Sequence, residues 1–105
     1  LFAFQEATMA TAYVRLGGVM GGAAPVYQKN PTTQDITPSG TSQATTISAS
    51  SGQYARIVAS GADLRVAIGP APVAVANAGD IVLDGTAIDI GPLSQADKVA
   101  IITSA

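Results

Sequence analysis

The stretch that decides the fold runs from Tyr54 to Ile68 and reads YARIVASGADLRVAI. Polar and apolar residues alternate on both sides of Gly61, which is the period-two pattern of half-buried β-strands. The sequence predicts two strands, residues 54–60 and 64–68, joined as a hairpin by a tight turn at 60–63. The side chains predicted to face inwards are Ala55, Ile57 and Ala59 in the first strand and Leu64, Val66 and Ile68 in the second.

Shorter segments of the same kind lie on both sides of this pair. They predict strands at 11–16, 35–37, 44–49, 81–83, 88–90 and 98–103, an extended piece at 25–29 and an edge segment at 73–76. Gly, Pro and Asp separate them, as at Gly79-Asp80 and Gly91-Pro92, and these residues favour turns. We therefore expect an all-β fold, a small antiparallel β-sandwich or a barrel of the jelly-roll type.

The chain of 105 residues has the usual length of one domain. We assign residues 11–105 to a single β domain, with a glycine-rich loop at 17–22 and a polar, loop-rich section at 28–46. Residues 1–10 are apolar and too few for a stable isolated helix, so we expect an extended N-terminal arm that docks on a partner. Its predicted anchors are Leu1, Phe2, Phe4 and Met9. The alternative is a frayed, apolar chain end.

The composition disfavours several classes of function. The chain has no His, no Cys and no Trp, and 11% of its residues are charged. Ser and Thr are abundant, but no His or suitable Lys activates one, so we expect neither an enzyme nor a cofactor. A net charge of −2 without a basic stripe disfavours nucleic acid as a partner. No apolar run reaches the length of a membrane-spanning helix, so we expect no membrane partner.

Aspartates are the densest chemical feature. Asp63, Asp80, Asp84 and Asp97 lie at predicted turns, where a carboxylate accepts hydrogen bonds from nearby backbone amides. We expect this capping role and no metal site. The weaker alternative is a cation held by Asp80 and Asp84.

Four polar or aromatic residues of the predicted strands are candidate contacts. Tyr54 and Arg56 share a strand face, and Arg65 lies across the predicted hairpin; Tyr13 in the first strand completes the set. An aromatic ring beside guanidinium groups suits a sugar, a carboxylate or a protein contact. The alternative is a solvated cross-strand pair.

Between Thr45 and Ile102 a Ser/Thr-rich strand precedes Ala55-Arg56-Ile57-Val58-Ala59 and Leu64-Arg65-Val66-Ala67-Ile68-Gly69. A Pro70-Ala71-Pro72 break and the closing Asp97-Lys98-Val99-Ala100-Ile101-Ile102 follow. This order resembles the small all-β virion proteins of tailed bacteriophages, especially capsid decoration, or cement, proteins. The resemblance covers just over half of the chain and brings no catalytic residues.

The resemblance implies a structural protein on the outer capsid surface of the virion, where it clamps neighbouring subunits and stabilises the lattice. The implied partners are the major capsid protein and copies of the chain itself, as a dimer or trimer. The alternatives are a phage tail or fibre component, or a carbohydrate-binding surface module.

Overall fold

A computed structural model describes residues 10–20, 26–27 and 31–105, and that part of the chain is all β, without a helix. The arm predicted over residues 1–10, with its anchors Leu1, Phe2, Phe4 and Met9, lies outside the described residues except for Ala10. The strands are β1 (Thr11–Gly17), β2 (Val19–Met20), β3 (Val26–Tyr27), β4 (Thr32–Ile36), β5 (Gln43–Ala44), β6 (Tyr54–Ser60), β7 (Leu64–Gly69), β8 (Asp80–Val82), β9 (Ala87–Ile90) and β10 (Lys98–Thr103). Without a helix, the described residues contain no helical membrane span.

Two antiparallel sheets of four strands form the body of the fold. Sheet I has the strand order β4-β1-β6-β9, and sheet II has the order β5-β10-β7-β8. The short strands β2 and β3 pair with each other; β2 lies within the predicted loop at 17–22, and β3 lies within the extended piece predicted at 25–29. The arrangement confirms the predicted all-β antiparallel sandwich.

The core lies between the two sheets. Alternation along β1 and β6 turns Val14, Leu16 and Ile57 inwards, and all three are almost completely buried. Leu64 and Ile101 of sheet II meet them in one apolar cluster. The inward-facing set predicted for residues 54–68 is confirmed, with Ile68 half-buried against this cluster and the other five side chains buried.

The predicted hairpin between β6 and β7 is wrong. Strand β6 pairs with β1 and β9, whereas β7 pairs with β10 and β8, so residues 61–63 carry the chain from sheet I to sheet II. Gly61 has a φ of 91°, which suits a sharp change of direction in either arrangement. The local turn signal therefore does not distinguish a hairpin from a corner. The choice depends on the distant strands β1 and β10, which pair with β6 and β7 along edges that a hairpin would need.

A second corner runs beside the first, and we call residues 59–63 and 83–86 together the paired corner. The Gly61 N–H donates to Asp84 Oδ1 at 2.7 Å, and the Asp84 N–H donates to Asp63 Oδ1 at 2.8 Å. The Gly85 N–H donates to the Ala59 carbonyl at 2.9 Å. Backbone and aspartate hydrogen bonds thus link the end of the β6–β9 ladder in sheet I to the start of the β7–β8 ladder in sheet II.

The strand predicted at 44–49 is wrong beyond Ala44, the last residue of β5. Beyond it, the Thr45 hydroxyl donates to the Ile47 carbonyl at 2.8 Å. The backbone N–H groups of Thr46 and Ile47 donate to Gln34 Oε1 at 2.9 and 3.2 Å. These side-chain bonds take the place of a ladder, as Ser, Thr and amide side chains can do.

The edge segment predicted at 73–76 is not a strand. It crosses the outer face of sheet II, where Ala74 and Ala76 pack on Ala100 and Ile102 of β10. The Ala74 N–H donates to Ser42 Oγ at 2.9 Å, and the Ala105 N–H donates to the Ala76 carbonyl at 2.8 Å. Pro70 and Pro72 lack the N–H that a ladder would need, so the segment packs as a cover instead.

Candidate binding face

The outer face of sheet I brings together side chains from three adjacent strands. In one row across the sheet, Tyr13 of β1 lies between Asp35 of β4 and Val58 of β6. In the next row, Arg15 lies between Thr33 and Arg56. Because residues two apart in a strand point to the same side, the two rows form one surface. We call these six residues the binding face: Tyr13, Arg15, Thr33, Asp35, Arg56 and Val58.

A depression of about 300 Å³ lies on this surface. It is lined by the six residues of the binding face together with Val14. From the usual strand spacing and rise, three strands and two rows cover a footprint of about 10 by 7 Å. The depression therefore has the size of a small ligand or a single side chain of a partner.

An ion pair orients Arg56 at the edge of the binding face. Its Nε donates to Asp89 Oδ1 at 3.0 Å and its Nη2 donates to Asp89 Oδ2 at 3.2 Å, a bidentate arrangement across the β6–β9 pair. The two side chains are 43% and 45% exposed, so solvent weakens the attraction to about 1 kcal/mol or less. The ion pair therefore fixes the orientation of the Arg56 side chain more than it stabilises the fold.

Two arginines face each other directly across β1 and β6. Arg15 and Arg56 are register partners, and like charges at such positions repel. Asp89 beside Arg56 offsets part of this repulsion, and Asp35 occupies the position diagonal to Arg15. The two arginines therefore lie between two acidic groups, Asp35 and Asp89.

Tyr54 flanks the binding face on β6. It is aligned with Gly17 of β1, and a methyl group on Gly91 would overlap its ring. The ring thus lies against the backbone that follows β9, where only glycine leaves room for it. Tyr54 extends the aromatic surface but does not line the depression.

The structure brings together three of the predicted site residues and separates a fourth. Tyr13, Tyr54 and Arg56 share the outer face of sheet I. Arg65 lies on β7 in sheet II, where its Nη1 donates to the Gly79 carbonyl at 3.0 Å. The predicted grouping of Arg65 with Tyr54 and Arg56 is wrong because it depended on the hairpin that does not form.

Four residues of the binding face were not predicted: Arg15, Thr33, Asp35 and Val58. Arg15 could have been predicted to share a face with Tyr13, because it follows Tyr13 by two positions in the same alternating strand. The pairing of β1 with β6 has no such signal, because the partners lie 37 to 49 residues apart in the chain, from Gly17 with Tyr54 to Thr11 with Ser60.

The aspartates at turns act largely as backbone caps, as predicted. Asp84 and Asp63 accept hydrogen bonds in the paired corner, and Asp97 Oδ2 accepts one from the Ser94 N–H at 2.8 Å. Asp80 is exposed at the start of β8. Within residues 10–20, 26–27 and 31–105, no three His, Cys, Asp or Glu side chains are grouped so that they could hold a metal ion.

Comparison of the chain with protein-family models, with curated proteins and with solved structures gives no match. The geometry of the two sheets is therefore what bears on function.

Proposed function

We propose that this chain is a structural virion protein that binds the outside of a bacteriophage capsid and stabilises its lattice. The observation that carries the proposal is a run of exposed aliphatic side chains around β8. Val73 is 72% exposed, Val75 and Leu83 are each 51% exposed, and Ile81 is 39% exposed. These side chains lie on or beside sheet II and its cover, and exposed apolar surface of this kind is typical of sites that bind another protein.

This apolar segment belongs to sheet II and its cover. Ile81 points outwards from β8 opposite Arg65, and Val73 and Val75 belong to the connection that crosses the outer face of the same sheet. Docking through this side directs sheet II towards the major capsid protein and leaves the binding face of sheet I exposed.

A second anchor is proposed in the N-terminal arm, formed by Leu1, Phe2, Phe4 and Met9.

Lattice symmetry is the proposed source of the stabilising effect. One small interface gives modest affinity, but a capsid offers the same site many times, and copies that also contact one another as dimers or trimers bind with increased avidity. A chain with 11% charged residues suits such a role, because burial in an assembly reduces its need for surface charge.

The test is co-sedimentation of the purified chain with phage heads stripped of their outer accessory proteins, followed by a heat challenge. We expect saturable binding and a higher temperature of head rupture. The double variant Val73→Asp/Leu83→Asp should lose binding, because charge would then enter an apolar contact. The matched control Val58→Asp, on the opposite outer face, should bind normally. Removal of residues 1–8 tests the second anchor in the same assay.

Two results would contradict the proposal. The first is absence of binding to heads, with the chain recovered instead in tails, which would favour the tail or fibre alternative. The second is unchanged binding of the double variant, which would remove the aliphatic segment from the interface.

A further inference from the structure

One peptide bond of the paired corner, between Asp84 and Gly85, differs in reactivity from every other aspartyl bond of the chain. Asp84 is followed by glycine, whereas the other five aspartates are followed by Ile, Leu or Lys. A backbone nitrogen can attack the side-chain carboxyl carbon of the aspartate that precedes it, and a bulky side chain on the attacking residue hinders the approach. Glycine has no Cβ and leaves the approach open.

This attack converts an aspartate into isoaspartate with no reagent other than water. The Gly85 nitrogen bonds to the side-chain carboxyl carbon of Asp84, and one carboxyl oxygen leaves as water with the amide proton and the carboxyl proton. Water then adds to the backbone carbonyl carbon of Asp84 in the resulting ring and breaks its bond to the Gly85 nitrogen. The backbone now runs through the former side chain and is one methylene longer, while the mass is unchanged.

Both reacting groups take part in hydrogen bonds of the paired corner. Asp84 Oδ1 accepts from the Gly61 N–H at 2.7 Å, which fixes the carboxyl group. The Gly85 N–H donates to the Ala59 carbonyl at 2.9 Å, so the attacking nitrogen is held towards β6. The Asp84 N–H donates to Asp63 Oδ1 at 2.8 Å and fixes the backbone between them. The attack therefore requires the corner to open.

Opening of the corner is a local event at the surface. Asp84 and Gly85 are both exposed, and so are the two hydrogen bonds that Asp84 makes with Gly61 and Asp63. Exposed hydrogen bonds of this kind open without unfolding of the whole domain. A slow reaction of an open state proceeds in proportion to the population of that state. The rate at Asp84 thus reports how often the corner opens.

We propose that Asp84-Gly85 is a site of spontaneous isomerisation to isoaspartate, and that the hydrogen bonds of the paired corner restrain the reaction while the chain is folded. The added methylene displaces the Gly85 N–H from the Ala59 carbonyl. Each isomerisation therefore weakens the link between the two sheets permanently. This inference goes beyond capsid binding and does not depend on it, because it concerns the isolated chain.

The test is incubation of the purified full chain at neutral pH, folded in buffer and unfolded in urea, followed by mass spectrometry. Electron-transfer fragmentation distinguishes isoaspartate from aspartate at each position, although their masses are equal. In urea we expect isoaspartate to form first at Asp84. In the folded chain the rate should be lower by about tenfold or more. Gly85→Ala, measured in urea where its fold does not matter, should slow the reaction several-fold.

Variants of the corner test the restraint itself. Asp63→Ala removes the acceptor of the Asp84 N–H and should accelerate the reaction of the folded chain about fivefold, with no change in urea. The matched control Asp97→Ala removes a carboxylate cap at another turn and should leave the rate at Asp84 unchanged. If Asp63→Ala fails to fold, Thr86→Val replaces it, because it removes the bond from Thr86 Oγ1 to the Leu83 carbonyl in the same corner.

Two kinds of result would overturn the proposal. Isoaspartate that forms in urea no faster at Asp84 than at the other aspartates would remove the site. Equal rates in the folded and unfolded chain, or an unchanged folded-state rate in the corner variant, would show that the paired corner does not restrain the reaction.

Discussion

The outer faces of the two sheets differ in what covers them. On sheet II, Ala74 and Ala76 lie across β10, so Ala100 is fully buried and Ile102 is only 7% exposed although both point away from the core. On sheet I, the described residues place no such cover over Tyr13, which is 45% exposed. Strands of sheet I therefore alternate in polarity, whereas β10 is apolar on both sides from Val99 to Ile102. A strand with both faces buried loses the alternation that a half-buried strand keeps.

The largest expected effect comes from a charge placed on the covered face. Ala100→Asp would bury a carboxylate without a partner between Ala67 and Ala44, its register neighbours on β7 and β5. We expect a loss of more than about 3 kcal/mol in the free energy of unfolding, measured by urea denaturation. Val58→Asp, on the open face of sheet I, is the matched change and should cost about 1 kcal/mol or less.

This pair of variants tests directly whether the outer faces of the two sheets differ in how well they are covered. Similar losses in both would mean that the outer face of sheet II is no better covered than that of sheet I. A small loss in Ala100→Asp alone would mean that the segment at 73–76 separates easily from β10.

A smaller effect is expected where the two sheets join. Gly61 has a positive φ of 91°, and an added Cβ would lie 3.0 Å from the Ala10 Cα. Gly52 has a similar φ of 84° but no atom within 4 Å of such a Cβ. We expect Gly61→Ala to lower the free energy of unfolding by about 2 kcal/mol and Gly52→Ala by about 1 kcal/mol. Thermal and urea unfolding measure both, and equal losses would show that Ala10 does not pack against the paired corner.

The smallest effect is expected for the ion pair between Arg56 and Asp89 on the outer face of sheet I. A double-mutant cycle with Arg56→Gln and Asp89→Asn should give a coupling energy of about 0.2–1 kcal/mol, because both side chains are nearly half exposed. The coupling should shrink in 1 M salt, where charges at the surface are screened. A coupling energy well above this range, or one insensitive to salt, would show that solvent screens the two side chains less than their exposed fractions indicate.

Much of the fold could be predicted from local patterns. The alternation in β1 and β6 identifies both strands and their buried faces, and Gly and Pro mark where strands end. Strand pairing could not be predicted, because Gly61-Ala62-Asp63 serves a corner as well as a hairpin. The strand predicted at 44–49 failed for a related reason, since the side chain of Gln34, twelve residues before Thr46, takes up its backbone donors.

The candidate site was predictable only in part. Tyr13, Tyr54 and Arg56 carry an outward-facing signal in their own strands, and the structure places all three on one face. Their neighbours Thr33 and Asp35 belong to an edge strand of polar residues, where exposure is ordinary and carries no signal. Arg65 shows the limit most clearly. Its strand and its outward-facing position were predicted correctly, but the prediction placed it beside Tyr54 and Arg56, whereas β7 belongs to sheet II.

The paired corner has a consequence for the order in which the protein folds. Val66 and Asp80 of the β7–β8 ladder are 14 residues apart, and the β6–β9 partners Val58 and Ala87 are 29 apart. Because hydrogen bonds of the paired corner link the two ladders, pairing that begins near Val66 can extend from one sheet into the other without closing a new long loop. Loop closure costs entropy that grows with length, so this route precedes the pairing of β1 with β6, whose partners are at least 37 residues apart. We therefore expect the segment from 54 to 90 to pair before β1 adds to β6.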